Sequence, residues 1–204
     1  MMKLFKTPSF IRWIVPRRTW GFSSSDTIYL TFDDGPTEVL TKTILGVLKE
    51  KEVKATFFCV GVNAQKYPEL MSEIIREGHA VGNHTMRHEN GNKTSKKDYL
   101  ASIEEASEHI NSNLFRPPYG RLPITFVRSI KKKYEIVMWS WLSYDYDPTV
   151  SVESILEKGK EQIKPGHILV LHDNLKVKEK MVVLLPQLID DLKDRGFKFG
   201  VISA

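Results

Sequence analysis

Asp33 and Asp34 stand side by side in Thr31-Phe32-Asp33-Asp34-Gly35-Pro36. Neighbouring carboxylates repel unless a cation or hydrogen bonds compensate them. One resolution is a division of labour, with one carboxylate binding a metal ion and the other moving a proton. A capping or turn role is the structural alternative for such a pair. The hexapeptide follows the apolar run Thr27-Ile28-Tyr29-Leu30, which reads as a buried strand, and Gly35-Pro36 breaks regular structure after it. Both carboxylates are therefore expected at a strand end, where α/β proteins build their sites.

Four further segments carry chemistry. In Asn83-His84-Thr85-Met86-Arg87-His88, two histidines four apart are expected on one side of a helical turn, close enough to share a metal. Two histidines and a carboxylate form a known catalytic metal set with open positions, and Asp34 can supply the carboxylate. Phe115-Arg116-Pro117-Pro118-Tyr119-Gly120 fixes an extended path through its prolines. It places Arg116 to clamp a carboxylate, and its turn can present a backbone N–H to an oxyanion. Leu169-Val170-Leu171-His172-Asp173 ends an apolar strand on a histidine suited to acid–base work near neutral pH. Trp139-Ser140-Trp141-Leu142-Ser143-Tyr144-Asp145-Tyr146-Asp147 mixes aromatic faces, able to stack on a sugar ring, with Asp145, able to orient a histidine.

Each segment alone has a bland reading as a cap, a core histidine, a solvated arginine or a packed lid. Together they fall at the C-terminal ends of strand candidates. Those candidates are 27–32, 55–60, 79–83, 113–115, 134–140, 167–171 and 197–202, and they alternate with helix candidates 38–51, 63–77, 95–112, 121–132, 151–163 and 177–195. Gly78, Gly166 and Gly196 punctuate the element ends. Alternating strands and helices imply a parallel sheet with crossover helices. About seven strands fit a distorted (β/α) barrel, in which strand ends converge on one face, with an open doubly wound sheet as runner-up. No G-x-G-x-x-G follows the first strand, which weakens a dinucleotide-binding reading. His79, His109 and His167 lie within or at the start of elements and read as structural or exposed.

The chain has 204 residues, with 41% apolar and 27% charged residues, as expected of a globular domain. Its single cysteine, Cys59, sits in an apolar run and reads as a buried hydrophobe. The net charge of +5 equals the five cations of residues 1–25, Lys3, Lys6, Arg12, Arg17 and Arg18, a stretch without acids. The neutral remainder gives no footprint for nucleic acid. We divide the chain into a basic, aromatic arm (1–25) and a catalytic domain (26–204). Phe5, Phe10, Ile11, Trp13, Ile14 and Val15 are interleaved with the cations. The arm is expected to pack its aromatics on the barrel rather than anchor at anionic lipid. Pro8 and Pro16 limit any helix between them to about two turns, so membrane contact through residues 1–22 is expected to be weak and salt-sensitive. No run of 18 apolar residues and no clean signal-peptide pattern occurs, so a cytoplasmic location is expected.

The ordered set Thr-Phe-Asp-Asp-Gly-Pro, His-Thr-x-x-His, Arg-Pro-Pro-Tyr-Gly, the Trp/Asp segment and Leu-His-Asp resembles the polysaccharide deacetylase family (carbohydrate esterase family 4). The resemblance covers about residues 26–204 and implies a distorted β/α barrel. It implies Asp33 as general base, Asp34, His84 and His88 as metal ligands, and Arg116 as the partner orienting Asp33. It also implies the backbone N–H of Tyr119 as oxyanion donor, and His172 as general acid tethered by Asp145. The implied cofactor is one divalent transition metal, zinc above all, with Co2+, Ni2+, Mn2+ or Fe2+ compatible. The implied substrate is an N-acetylated amino-sugar glycan or glycoconjugate, which would release acetate. Pro118, Tyr119, Trp141, Tyr144, Tyr146 and Leu171 are expected to contact it. The family's fourth motif commonly reads Asp-x-x-Asp-Trp; here Leu142, Asp145 and Tyr146 stand in those places, which keeps the tethering carboxylate and bears on substrate preference.

Two other readings use the same residues: hydrolysis of a small non-sugar amide, and a glycan-binding module without activity. A ferrous oxygenase would use the metal set but leave Asp33, Arg116 and His172 without a task.

Overall fold

The computed structural model describes residues 3–24 and 26–203. Met1, Met2, Ser25 and Ala204, which fall within the two expected segments, lie outside the described residues. In chain order the elements are α1 (Ser9–Ile14), β1 (Thr27–Asp33), α2 (Leu40–Glu50), β2 (Thr56–Cys59), α3 (Gly61–Lys66), α4 (Pro68–Arg76), β3 (Ala80–Asn83), α5 (Lys96–Ser107) and β4 (Leu114–Phe115). They continue with α6 (Ile124–Ile130), β5 (Glu135–Ile136), β6 (Trp141–Leu142), α7 (Val152–Gln162), β7 (Ile168–His172), α8 (Lys178–Asp194) and β8 (Lys198–Phe199).

The strands run β5-β4-β3-β2-β1-β7-β6, every pair parallel, and β8 adds to the start of β1. Parallel neighbours need crossovers, and the amphipathic helices supply them. In α2 the buried Leu40, Ile44, Leu45 and Leu48 follow the helical period. In β1 the apolar Ile28, Leu30 and Phe32 are wholly buried. The sheet curls into a half-barrel with helices around it, the distorted (β/α) barrel expected from the alternation.

Two elements differ from their sequence candidates. Candidate helix 63–77 breaks into α3 and α4, because Pro68 lacks an N–H and restricts Tyr67 before it. Candidate strand 134–140 keeps only β5 as strand, and the chain changes partner before β6 begins at Trp141. Val137 N–H still donates to Phe115 O, but Ser140 N–H donates to Ile168 O. This segment thus passes from β4 to β7 and joins the two sides of the barrel. The N-terminal arm seals the same seam. Thr7 N–H donates to Ser140 O at 2.9 Å, Leu142 N–H donates to Phe5 O at 2.8 Å, and Met138 N–H donates to Thr19 O at 2.7 Å.

The expectation for the arm's aromatics holds for some of them. Phe5 and Trp20 are buried, and Ile11 and Val15 pack on the barrel. Phe10, Trp13 and Ile14 instead face outward. A short helix can turn only one side to the barrel, and Ile11 and Val15, four apart, occupy it. Among the described residues, no helix is long and apolar enough to cross a membrane.

Candidate active site

The carboxylate pair sits where β1 ends. The register pairs Asp33 with His172 of β7, so two strand ends deliver their polar side chains together. Asp33 is 5% exposed, and its Oδ1 accepts a hydrogen bond from Arg116 Nη1 at 2.6 Å. Arg116 follows β4 and is wholly buried. The same Nη1 donates to Thr31 Oγ1, Nη2 donates to Met138 O, and Nε donates to Val137 O. The guanidinium also lies over the Phe58 ring, 4.0 Å from its centroid. Burial lowers its pKa, and Asp33 opposes that effect. A buried cation so fully bonded is rigid, and it aims Asp33.

Asp34 leaves the strand with φ +85°, which turns its carboxylate away from Asp33. Its Oδ1 lies 3.1 Å from His88 Nε2 and 3.7 Å from His84 Nε2. The three ligand atoms lie within 4.8 Å of one another. Burial would raise the Asp34 pKa, but the facing His88, with His172 and His84, holds it well below the usual carboxylate range. His84 hydrogen-bonds Arg116 O through Nδ1 at 2.7 Å, so Nε2 is left to face Asp34. Burial brings its pKa down to about 4, so the ring is neutral, as a metal ligand must be. Asn174 Nδ2 donates to Asp34 Oδ2 at 2.7 Å. This donor set fits a tetrahedral divalent cation: each imidazole turns Nε2 inward, and outer hydrogen bonds hold two of the three ligands.

The histidines do not lie on the helical turn expected from their spacing. They occupy an irregular loop after β3, with Thr85 at φ +64° and His88 at φ +59°. Asn83 Oδ1 holds the Thr85 N–H, and Ser102 Oγ holds the Met86 N–H. One local bond and one from α5 thus hold a path that a helix would not take. Tyr119 also has positive φ, +59°. Four non-glycine residues of the site, Asp34, Thr85, His88 and Tyr119, are therefore in a region costing about 1–3 kcal/mol each, a pattern found where geometry is fixed for chemistry.

His172 stands opposite. Its Nδ1 lies 2.7 Å from Asp145 Oδ1, and its backbone N–H donates to Asp145 Oδ2 at 2.7 Å. Burial pushes the imidazole toward neutrality, but Asp145, with Asp34 and Asp33 behind it, outweighs burial and raises the pKa to about 9. The ring is therefore cationic at neutral pH, with Nε2 free of Asp145. Tyr146 meets it edge-on at 5.1 Å.

These groups open into one cavity of about 690 Å³, lined also by Pro117, Tyr119, Trp139, Leu142, Tyr146 and Val170. Tyr119 and Tyr146 thus reach the cavity. Trp141 and Leu171, expected to contact substrate, are wholly buried in the core instead. Strand parity explains this: on β6 and β7, Leu142, Val170 and His172 face the cavity, so Trp141 and Leu171 face the helices. Pro118 is buried under its turn, and its neighbour Pro117 takes the cavity wall. Tyr144 lines a separate groove and packs on Phe5.

Sequence reasoning missed Asn174, Thr31 and Asn63, whose Nδ2 donates to Asp34 O at 2.8 Å. Adjacency to Leu-His-Asp was the available signal for Asn174, and adjacency to Phe-Asp-Asp for Thr31; none existed for Asn63. His79 and His167 are buried outside the site, and burial holds each pKa down to about 4.

A half-barrel with an aspartate and a histidine at adjacent strand ends beside a His-His-Asp cluster has the groups that a metal-assisted hydrolase would use. The chain belongs to the polysaccharide deacetylase family, whose profile matches residues 22–139. It is 30% identical to a peptidoglycan-N-acetylglucosamine deacetylase of Bacillus cereus, over 100% of this chain and 96% of that protein. It is 32% identical to a chitooligosaccharide deacetylase of Sinorhizobium fredii, over 90% of this chain and 92% of that one. The crystal structure of a peptidoglycan N-acetylglucosamine deacetylase bound to 4-naphthalen-1-yl-N-oxidanyl-benzamide superposes with a TM-score of 0.88 at 30% identity. That match covers 96% of this chain and 95% of that one.

Proposed function

We propose that this protein is a metal-dependent N-deacetylase that removes acetyl groups from N-acetylglucosamine residues of a glycan. The observation that carries this reading is the placement of Asp33 and His172 on adjacent strand ends beside Asp34, His84 and His88. Family relatives that act on peptidoglycan and chitooligosaccharides support the substrate class.

A divalent cation held by Asp34, His84 and His88, zinc above all, would polarise the acetamide carbonyl and acidify a bound water. Asp33, aimed by Arg116, accepts the proton of the attacking water. The Gly120 and Arg121 N–H groups close the turn onto the Pro117 and Pro118 carbonyls, and Tyr119 N–H stands outside those bonds. That N–H is free to donate to the developing oxyanion in this reading. His172, held cationic by Asp145, gives its Nε2 proton to the amide nitrogen as the C–N bond breaks. The products are acetate and the free amino sugar. Trp139, Leu142 and Tyr146 give the cavity apolar faces on which a sugar ring can stack.

Acetate release from chitooligosaccharides, peptidoglycan fragments and small N-acetyl amides tests the reading. Zinc-restored release from glycans is the expected outcome. Release from small amides alone would replace the glycan with a non-sugar substrate.

A further inference from the structure

Helix α1 has two apolar sides, and the barrel uses only one. Ile11 and Val15 pack toward Trp20, Leu122 and Met138. Phe10, Trp13 and Ile14, spaced i, i+3 and i+4, project from the other side and are 61%, 88% and 71% exposed. Leu4 adds another exposed apolar side chain at the foot of the helix. A contiguous apolar patch with an almost bare tryptophan marks an interaction surface.

The charges of the arm select the partner. Lys6, Arg12 and Arg17 are exposed, and no acid occurs in residues 1–25. Lys3 is neutralised by Asp147 at 2.7 Å, whereas Lys6, Arg12 and Arg17 form no ion pair among the described residues. Arg17 is held at φ +63°, just beyond the helix. Exposed aromatic and branched apolar side chains on an arm with unpaired cations and no acid match a bilayer surface: Trp13 and Phe10 suit the headgroup boundary, and the cations suit anionic headgroups.

We propose that the outer side of α1 docks the protein on the surface of an anionic lipid bilayer. The arm's backbone bonds to β6 and to the segment before it make this a rigid attachment rather than a tether. The cavity and the arm-lined groove share Tyr119, Trp139 and Leu142, so docking sets the catalytic opening at a fixed height above the lipid. The patch is small and its charge contribution is screened by salt, so binding is weak at moderate ionic strength. The inference does not depend on the deacetylase reading.

Flotation with phosphatidylcholine vesicles containing roughly 30 mol % phosphatidylglycerol, against pure phosphatidylcholine, tests it. The full chain should float with the anionic vesicles at low salt and be released at moderate salt. Arg12→Gln with Arg17→Gln should weaken partitioning roughly 30-fold, taking two cations at the surface. Phe10→Ser, Trp13→Ser and Ile14→Ser together should abolish flotation while leaving far-ultraviolet circular dichroism and the urea midpoint close to those of the wild type. Trp13 emission should shift to shorter wavelength on the vesicles, and Trp13→Phe should remove that shift. Failure of the full chain to float at low salt, equal flotation with neutral vesicles, or flotation that survives the triple substitution overturns the proposal. Trp13-dependent binding to insoluble peptidoglycan without vesicle binding would overturn it too, assigning the patch to a glycan.

Discussion

Asp33 and His172 are register partners on the adjacent parallel strands β1 and β7. Paired residues on neighbouring strands point to the same face of a sheet, with backbones about 4.8 Å apart. The carboxylate and the imidazole are thus set at one height on one face by main-chain hydrogen bonds. Asp173 N–H donates to Asp33 O at 3.0 Å and ties the two ends together. Arg116 then draws Asp33 to one side, and Asp145 draws His172 to the other.

Asp33→Asn should retain bound zinc and lose about 10²–10⁴-fold in turnover, as expected on removing a general base. Metal analysis and acetate release on one preparation decide this. Arg116→Met should fold poorly, because it strands the buried Asp33 carboxylate; breaking a buried pair typically costs about 3–5 kcal/mol. Near-normal turnover in Asp33→Asn would remove the base assignment.

The His172–Asp145 pair makes two pH predictions. In the fold, burial is outweighed by Asp145, and the His172 pKa stands at about 9 rather than 6.5. Its stabilisation is therefore complete below the unfolded value and is lost as pH rises through 9. Urea unfolding of chelator-treated protein should show the gap between wild type and Asp145→Asn narrowing from pH 6.5 to 9. In the holoenzyme, Asp145→Asn should move the alkaline limb of kcat/KM to lower pH, because the acid loses its proton earlier. An unmoved limb would mean that His172 is not the acid.

Chelation should abolish acetate release, and zinc should restore it. Asn174 touches the metal set only through Asp34 Oδ2. Asn174→Ala should therefore weaken zinc affinity about 10–100-fold, as loss of an outer hydrogen bond does, and saturating zinc should return activity. Competition against a chromogenic chelator measures the affinity; an unchanged value would show that Asp34 needs no such support.

Asp173 is buried, with Oδ1 unpartnered and Oδ2 accepting from Thr41 Oγ1 at 2.8 Å. Burial, with the Asp34 and Asp33 charges, raises its pKa from 3.8 to about 7, against Thr41 and the Gly35 N–H. The fold thus favours the neutral acid, and stability drains as pH climbs from 3.8 through 7, where the unfolded chain ionises first. Asp173→Asn removes that titration. In chelator-treated protein its stability should gain on wild type across this window and stay level above it; parallel stability–pH curves would refute the assignment.

Local patterning determined much of this protein. The apolar runs ending in Asp33 and His172 define parallel strands, because a buried strand needs continuous apolar sequence and an abrupt polar stop. The five motifs picked out side chains that the fold gathers at one cavity, Asp33, Asp34, His84, His88 and His172 among them, because each motif follows a strand end. Tertiary structure decided the rest. Strand parity, invisible until β6 and β7 had a register, sent Trp141 and Leu171 into the core and Leu142 and Val170 to the cavity. In the His84–His88 loop the Asn83 bond to the Thr85 N–H is local, but the Ser102 bond to the Met86 N–H comes from α5, and no local propensity encodes a bond across that distance. On α1, which side faced the barrel depended on how the seam at β5 and β6 closed. That choice left Trp13 in solvent, because a helix of six residues has room for only one packed side.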